Sequence, residues 1–163
     1  MSQSETLSRL RSLVGTEIHV SPWTDVSPGR VQAFAAATGD RQWIHVDRQR
    51  AGRESPYGDT IAHGYLTLSL YPMLRGLVDE TTPVFPGVRR VINYGIDKLR
   101  FPNAVRVGSR VRARCTLAAV EEVAGGLQVT ERCTIGDLQA AERCTIEIEN
   151  EAKPGCVDRK SVV

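Results

Sequence analysis

Asp40 and His45 stand five positions apart in Gly39-Asp40-Arg41-Gln42-Trp43-Ile44-His45, directly after a short apolar stretch that ends in glycine. A carboxylate and an imidazole at that spacing on irregular chain can hold one water by its hydrogen bonds and move its proton. Further on, Ile61-Ala62-His63-Gly64-Tyr65 opens the most hydrophobic segment of the protein. A helix that starts there leaves the Gly64 N–H unpaired and at the positive end of the peptide dipoles, which suits a developing oxyanion. Glycine at that place also lets a reactant approach the backbone closely. The same residues have plainer uses: an Asx-type turn for Asp40, a hydrogen-bonded loop position for His45, a helix cap for His63 and a close packing contact for Gly64.

These groups need elements to hold them. Residues 1–14 form a short helix with Leu7, Leu10 and Val14 on one face, or a loose arm. Thr16 to Trp23 reads as a first strand stopped by Pro22. Ser27-Pro28 then starts a helix, with serine at the cap and proline in the first turn. Val31, Phe34, Ala35 and Thr38 share one face of it. Gly39 fits the left-handed residue past its end, so Asp40 begins the irregular chain. Residues 41–58 read as a loop with a helical turn near Asp47 to Arg53. A helix capped near Thr60 runs to about Val78, apolar on most sides, kinked at Pro72 and central to the core. From Val88 the period changes to two, giving strands at Val88–Phe101, Ser109–Glu122, Leu127–Ile135 and Leu138–Glu149, with a short last strand within Cys156–Val163. In the second of these Val111, Ala113, Cys115, Leu117 and Ala119 face inward. A central helix against an antiparallel sheet is an α+β arrangement.

Eight of eleven residues in Gly125–Ile135 recur in Gly136–Ile146, a tandem duplication. The odd offset puts inward residues on odd numbers in the first copy and even numbers in the second, so a turn must separate them. Gly136-Asp137 suits a two-residue hairpin turn. The hairpin over 125–146 would set Glu131 opposite Glu142, a like-charge cost.

Composition narrows the partners. The chain has 163 residues, 41% hydrophobic and 25% charged, with a formal charge of +2. That is one domain, 1–163, with a real core and no bias toward nucleic acid or membranes. The polar N-terminus lacks the apolar region of a signal peptide. Four cysteines without a CxxC pair, and histidines not clustered with them, leave no zinc pattern. Cys115, Cys133 and Cys144 read as small buried hydrophobes in a reducing, cytoplasmic setting.

The segment Phe34 to Ala51 resembles the hydratase-2 motif of MaoC-like, (R)-specific enoyl-CoA hydratases. Phe34, Thr38, Gly39, Asp40, Ile44, His45 and Ala51 take the motif's places. Gln42-Trp43 stands where that family has Asn-Pro, and Gln42 supplies the same amide. Ile61 to Tyr65 is similar to the family's segment at the start of its central helix. Asn93-Tyr94-Gly95, Lys98, Arg100-Phe101-Pro102, Val105, Val107-Gly108 and Val111 are similar to its second and third strands. The resemblance spans about residues 16 to 122 and is closest to small stand-alone bacterial hydratases. It implies a hot-dog fold and reversible hydration of a trans-2-enoyl thioester to the (3R)-hydroxyacyl product. Asp40 and His45 would be the acid–base pair, and Gly64 the oxyanion donor. Gln42, His63, Tyr65, Asn93, Lys98 and Arg100 would be substrate-binding residues, and the Asn93 side chain would also support the loop carrying Asp40. Arg106, Arg110, Arg112 and Arg114 either meet the phosphates of coenzyme A or form a solvated strand face. No metal or redox cofactor is implied, because coenzyme A or acyl carrier protein arrives as part of the substrate. A homodimer is implied as well. A hot-dog thioesterase and a non-catalytic acyl-thioester binding protein are the rival functions.

Overall fold

The computed structural model describes residues 3–79, 81–82, 84–85, 91–123, 126–135 and 157–162. Helix α1 (Gln3–Ser12) buries Leu7 and Leu10, while Val14 lies past its end and is exposed. Strand β1 (Glu17–Val20) ends before Pro22, as predicted, and a separate two-residue strand, β2 (Thr24–Asp25), follows it. Helix α2 (Pro28–Thr38) begins as its sequence dictates, with Ser27 Oγ accepting the Arg30 N–H at 3.3 Å. Such a cap contributes about 1 kcal/mol. The helix ends at Gly39, whose φ of 78° is the left-handed conformation expected there, and the Gly39 N–H returns to the Ala35 carbonyl.

Two short helices interrupt residues 41–58: α3 (Trp43–Val46), where a loop was predicted, and α4 (Arg48–Glu54), at the predicted helical turn. Asp47 joins them, and its carboxylate accepts the Arg50 N–H at 2.9 Å. The predicted central helix is shorter and divided, as α5 (Gly64–Ser69) and α6 (Tyr71–Leu74), with turns as far as Val78. Pro72 has no N–H to donate to the preceding turn, which explains the division at Leu70. The cap is His63 rather than Thr60, and its side chain makes no capping bond.

The main sheet has the order β1-β5-β6-β7-β3, antiparallel throughout, where β3 is Asn93–Arg100, β5 Ala113–Val123, β6 Gly126–Ile135 and β7 Val157–Val162. A separate pair joins β2 to β4 (Arg110–Val111). Val111, Ala113, Cys115 and Leu117 are fully buried, as the alternation predicts, but Ala119 is not. The ladder shifts register between Leu117 and Ala119, and Val120 becomes the buried residue. An extra residue in one strand reverses which parity faces the core. One core cluster places Leu66, Leu70, Tyr71 and Leu74 against Ala113, Cys115, Cys133 and Ile135, so the helices sit on the sheet. A second cluster fastens α1 to Leu117, Val120 and Val129.

Glu131 is buried with its charge matched. Arg75 grips it with two bonds, Nε to Oε2 at 2.8 Å and Nη2 to Oε1 at 2.7 Å, and Tyr71 donates to Oε2 at 2.9 Å. Residues 136–156, and with them the second repeat copy and most of the predicted hairpin, lie outside the described residues. The neighbour of β6 on the side away from β5 is β7, from Val129 opposite Val162 to Thr134 opposite Val157. Cys115 is a free buried thiol 3.0 Å from the Cys133 sulfur, but Cys133 is disulfide-bonded, contrary to the expectation of a simple buried hydrophobe.

Candidate active site

Three histidines occur in the chain, and each is tied to a backbone carbonyl. His19 bonds Leu74 at the end of α6, where its role is packing. The other two meet beside Asp40.

The end of α2 delivers Asp40. Thr38 Oγ1 bonds the Phe34 carbonyl at 2.8 Å and accepts the Asp40 N–H at 3.4 Å, fixing the chain as it leaves the helix. Gln42 Nε2 donates to Asp40 Oδ1 at 3.0 Å, and the Gln42 backbone N–H reaches the same oxygen at 3.5 Å. The Gln42 amide is the main reason that the Asp40 carboxyl is held below its ordinary range. Gln42 thus acts as the anchor of the carboxylate, whereas the sequence placed it among substrate contacts.

His45 lies on α3. Its Nδ1 is 2.7 Å from the Ile61 carbonyl, which can only accept, so Nδ1 carries the hydrogen and Nε2 presents a lone pair. Burial pushes the imidazole below its ordinary value of 6.5, and His63 adds to that effect. The Ile61 carbonyl and the Asp40 charge act the other way without overcoming it. A neutral ring at neutral pH is the form a general base requires. Catalysis that uses His45 as base is therefore expected to fall as the pH drops, with a midpoint below 6.5, measurable as a rate profile in buffers of constant ionic strength. Folding follows the same sign. The unfolded chain binds the proton first, so this contribution to stability is present above the unfolded value and is lost as the pH falls through the folded one.

His63 is 3% exposed. Its Nε2 donates to the Asp40 carbonyl at 2.9 Å, and its ring stacks on His45 with centroids 3.8 Å apart at 29°. One nitrogen from each ring and an Asp40 carboxylate oxygen lie within 4.8 Å of one another, a spacing that a divalent ion can bridge.

A cavity of about 340 Å³ holds His45 and Gly64 in its lining together with Tyr57, Thr67, Phe101 and Asn103. Among the described residues the Gly64 N–H has no acceptor. A second cavity, about 150 Å³, reaches His45 from the side of Arg48 and Asp59. A further cavity of about 330 Å³, between α1 and β1, is lined by the already paired Arg75 and holds no histidine. A side chain at Gly64 would stand 2.7 Å from the Phe101 ring, so close packing does require glycine there.

The remaining predicted residues scatter. Tyr65 is 64% exposed and meets Phe101 edge-on at 5.5 Å. Asn93 starts β3 opposite Val162, and no bond among the described residues joins it to the Asp40 loop. Arg100 bonds the carbonyl of its neighbour Leu99, and the Lys98 side chain is outside the described residues. In the arginine ladder, Arg112 lies over Trp23 at 4.6 Å and Arg114 pairs with Glu17 at 2.9 Å. Phe101 is the residue to which sequence reasoning gave no role. Its signals were an aromatic at a strand end just before Pro102 and the match of Arg100-Phe101-Pro102 to the family's strands.

The strand order, the short helices on the sheet and the cavity at a helix start define a hot-dog protein. An (R)-hydratase from A. caviae superposes with a TM-score of 0.67 at 23% identity, covering 91% of this chain and 94% of that one. The family model described as MaoC like domain matches residues 9–135. Over 158 residues the chain is 41% identical to the 3-hydroxyacyl-thioester dehydratase Z of Mycobacterium tuberculosis, covering 96% of this chain and 94% of that protein. It is 42% identical over 149 residues to Nodulation protein N of Rhizobium meliloti, covering 91% and 84%. The chain belongs to the MaoC-like dehydratase family.

Proposed function

We propose that the protein is a hydro-lyase that reversibly adds water to trans-2-enoyl thioesters, giving (3R)-hydroxyacyl thioesters. The observation that carries this reading is the His45 ring, locked with its basic nitrogen free, in one cavity with the unused Gly64 N–H. The dehydratase and hydratase relatives support it. Water rests between the Asp40 carboxylate and His45 Nε2. As its oxygen bonds to C3, its proton passes to His45, and the C2–C3 π electrons move to the thioester oxygen as an enolate. The Gly64 N–H bonds that oxygen. The enolate then collapses as C2 takes the proton back from His45, so the pair ends as it began. Dehydration runs the same steps in reverse.

The test is loss of conjugated-enoyl absorbance with enoyl-CoAs of graded length, with chiral analysis of the product and a thiol assay in parallel. Binding of crotonyl-CoA without hydration would overturn the proposal, and free thiol would point to a thioesterase.

The working unit is expected to be a homodimer formed through β3. That strand is an edge of the sheet, and Ile92, Ile96 and Phe101 on or beside it are exposed at 51%, 41% and 38%. An apolar edge invites pairing with a second copy. Ile96→Lys is expected to shift the mass in light scattering from twice the 17.9 kDa chain toward a single chain. Among the described residues no helix is long and apolar enough to cross a membrane.

A further inference from the structure

His63 joins three parts of the site while serving none of the plainer purposes of a buried histidine. It precedes Gly64 directly, bonds the peptide carbonyl of Asp40 and stacks on His45. It does not cap α5, since its side chain reaches no N–H of that helix. Nor is it held for hydrogen bonding alone. With Nε2 committed to the Asp40 carbonyl, its buried Nδ1 has no partner among the described residues. An unpaired buried polar atom costs stability, and a phenylalanine would fill the same space beside Phe34 without that cost. The orphan nitrogen marks a ring kept for its position rather than for packing.

We infer that His63 is a positioning residue: through the Asp40 carbonyl and the His45 ring face it sets the carboxylate and the base in register beside Gly64. This rests on the hydration reading given above. The arrangement has a simple logic. Asp40 lies on chain leaving α2, His45 on α3 and Gly64 at the start of α5, and no bond among the described residues joins the Asp40 and His45 side chains directly. His63 is the shared contact. A shift of about 1 Å between reacting groups can cost about a hundredfold in rate, so a single residue holding both has a large lever. It also acts on His45 electrically, together with Asp40, while Arg48 and Asp59 across the smaller cavity are paired to each other at 3.0 Å.

Two variants separate the contacts. His63→Phe keeps a flat ring for stacking and loses the donor, and His63→Gln keeps a donor and loses the ring. Both are expected to lower kcat by about 10- to 100-fold while KM stays within about threefold. In both, the titration of His45, followed by nitrogen-detected NMR of the labelled imidazoles, is expected to move up because an opposing neighbour is gone. Three histidines make that spectrum assignable. In the unaltered protein the same spectra should show hydrogen on Nδ1 of His45 and on Nε2 of His63. Unchanged kcat in both variants overturns the inference. So does a KM rise matching the kcat loss with the His45 titration unmoved, which would make His63 a substrate contact. If a variant does not fold, the hydrogen positions in the unaltered protein still decide, since hydrogen on Nδ1 of His63 breaks the proposed link to Asp40. If the unaltered protein hydrates no enoyl thioester, the function proposal fails, while the spectra test His63 independently.

Discussion

Asp40→Asn and His45→Gln are each expected to reduce kcat/KM for crotonyl-CoA hydration by about 10²- to 10⁴-fold, or roughly 3–5 kcal/mol of transition-state stabilisation. Both substitutions spare the scaffold. The asparagine Oδ1 can still accept from Gln42, and the glutamine amide can still donate toward the Ile61 carbonyl, so the loss would report the charge and the base rather than a collapsed loop. The double variant is expected to be little worse than the poorer single one, because the two groups act on one water. Affinity for a non-reactive acyl-CoA should stay within a few fold in all three. Full activity in Asp40→Asn would leave the aspartate a turn residue. Activity and binding untouched in both single variants would fit the non-catalytic binding protein instead.

The second large effect is on stability. Glu131→Ala is expected to cost about 3–5 kcal/mol, because it leaves the Arg75 guanidinium buried without a counter-charge. For a chain of this size that lowers Tm by roughly 6–20 °C. Arg75 and Glu131 are 3% and 1% exposed, and the two-pronged contact with a Tyr71 hydroxyl satisfies both Glu131 oxygens. Burial works against the Arg75 charge, and the Glu131 bonds more than restore it. Burial, followed by the Glu131 charge, keeps the Tyr71 hydroxyl protonated well above its ordinary value. Joint replacement by apolar residues, Arg75→Met with Glu131→Leu, should recover most of the loss, since the desolvation cost of both ions disappears together. Thermal unfolding of the three proteins by circular dichroism measures this, and a double variant as unstable as Glu131→Ala would sink the explanation.

Local chemistry was legible in the sequence, and pairing at a distance was not. Ser27-Pro28 and Gly39 mark the two ends of α2 because capping needs only neighbours in the chain. The alternation Val111 to Leu117 is plain for the same reason. It fails at Ala119, since a register shift depends on the partner strand β6. Glu131 looked like a like-charge liability, and nothing near it in the chain marks Arg75 as its partner. Their match, across 56 residues of chain, is a tertiary event that periodicity cannot register. α3 escaped notice because four residues give no period to detect. At the site, Asp40, His45 and Gly64 were singled out by motif and spacing, and His45 and Gly64 line one cavity. The use of Gln42 as the carboxylate's anchor, the His45–His63 stack and the Phe101 contact required coordinates. Each depends on the direction in which a side chain leaves its element.

The Phe101 ring occupies the volume that any side chain at position 64 would need. The chain has therefore tied two distant positions into one unit of inheritance. A side chain at 64 requires the Phe101 ring, which is 38% exposed, to move aside or a smaller residue to stand at 101, whereas a smaller residue at 101 meets no clash at 64 in return. The strand end can therefore change without regard to position 64, while the helix start cannot change without regard to position 101.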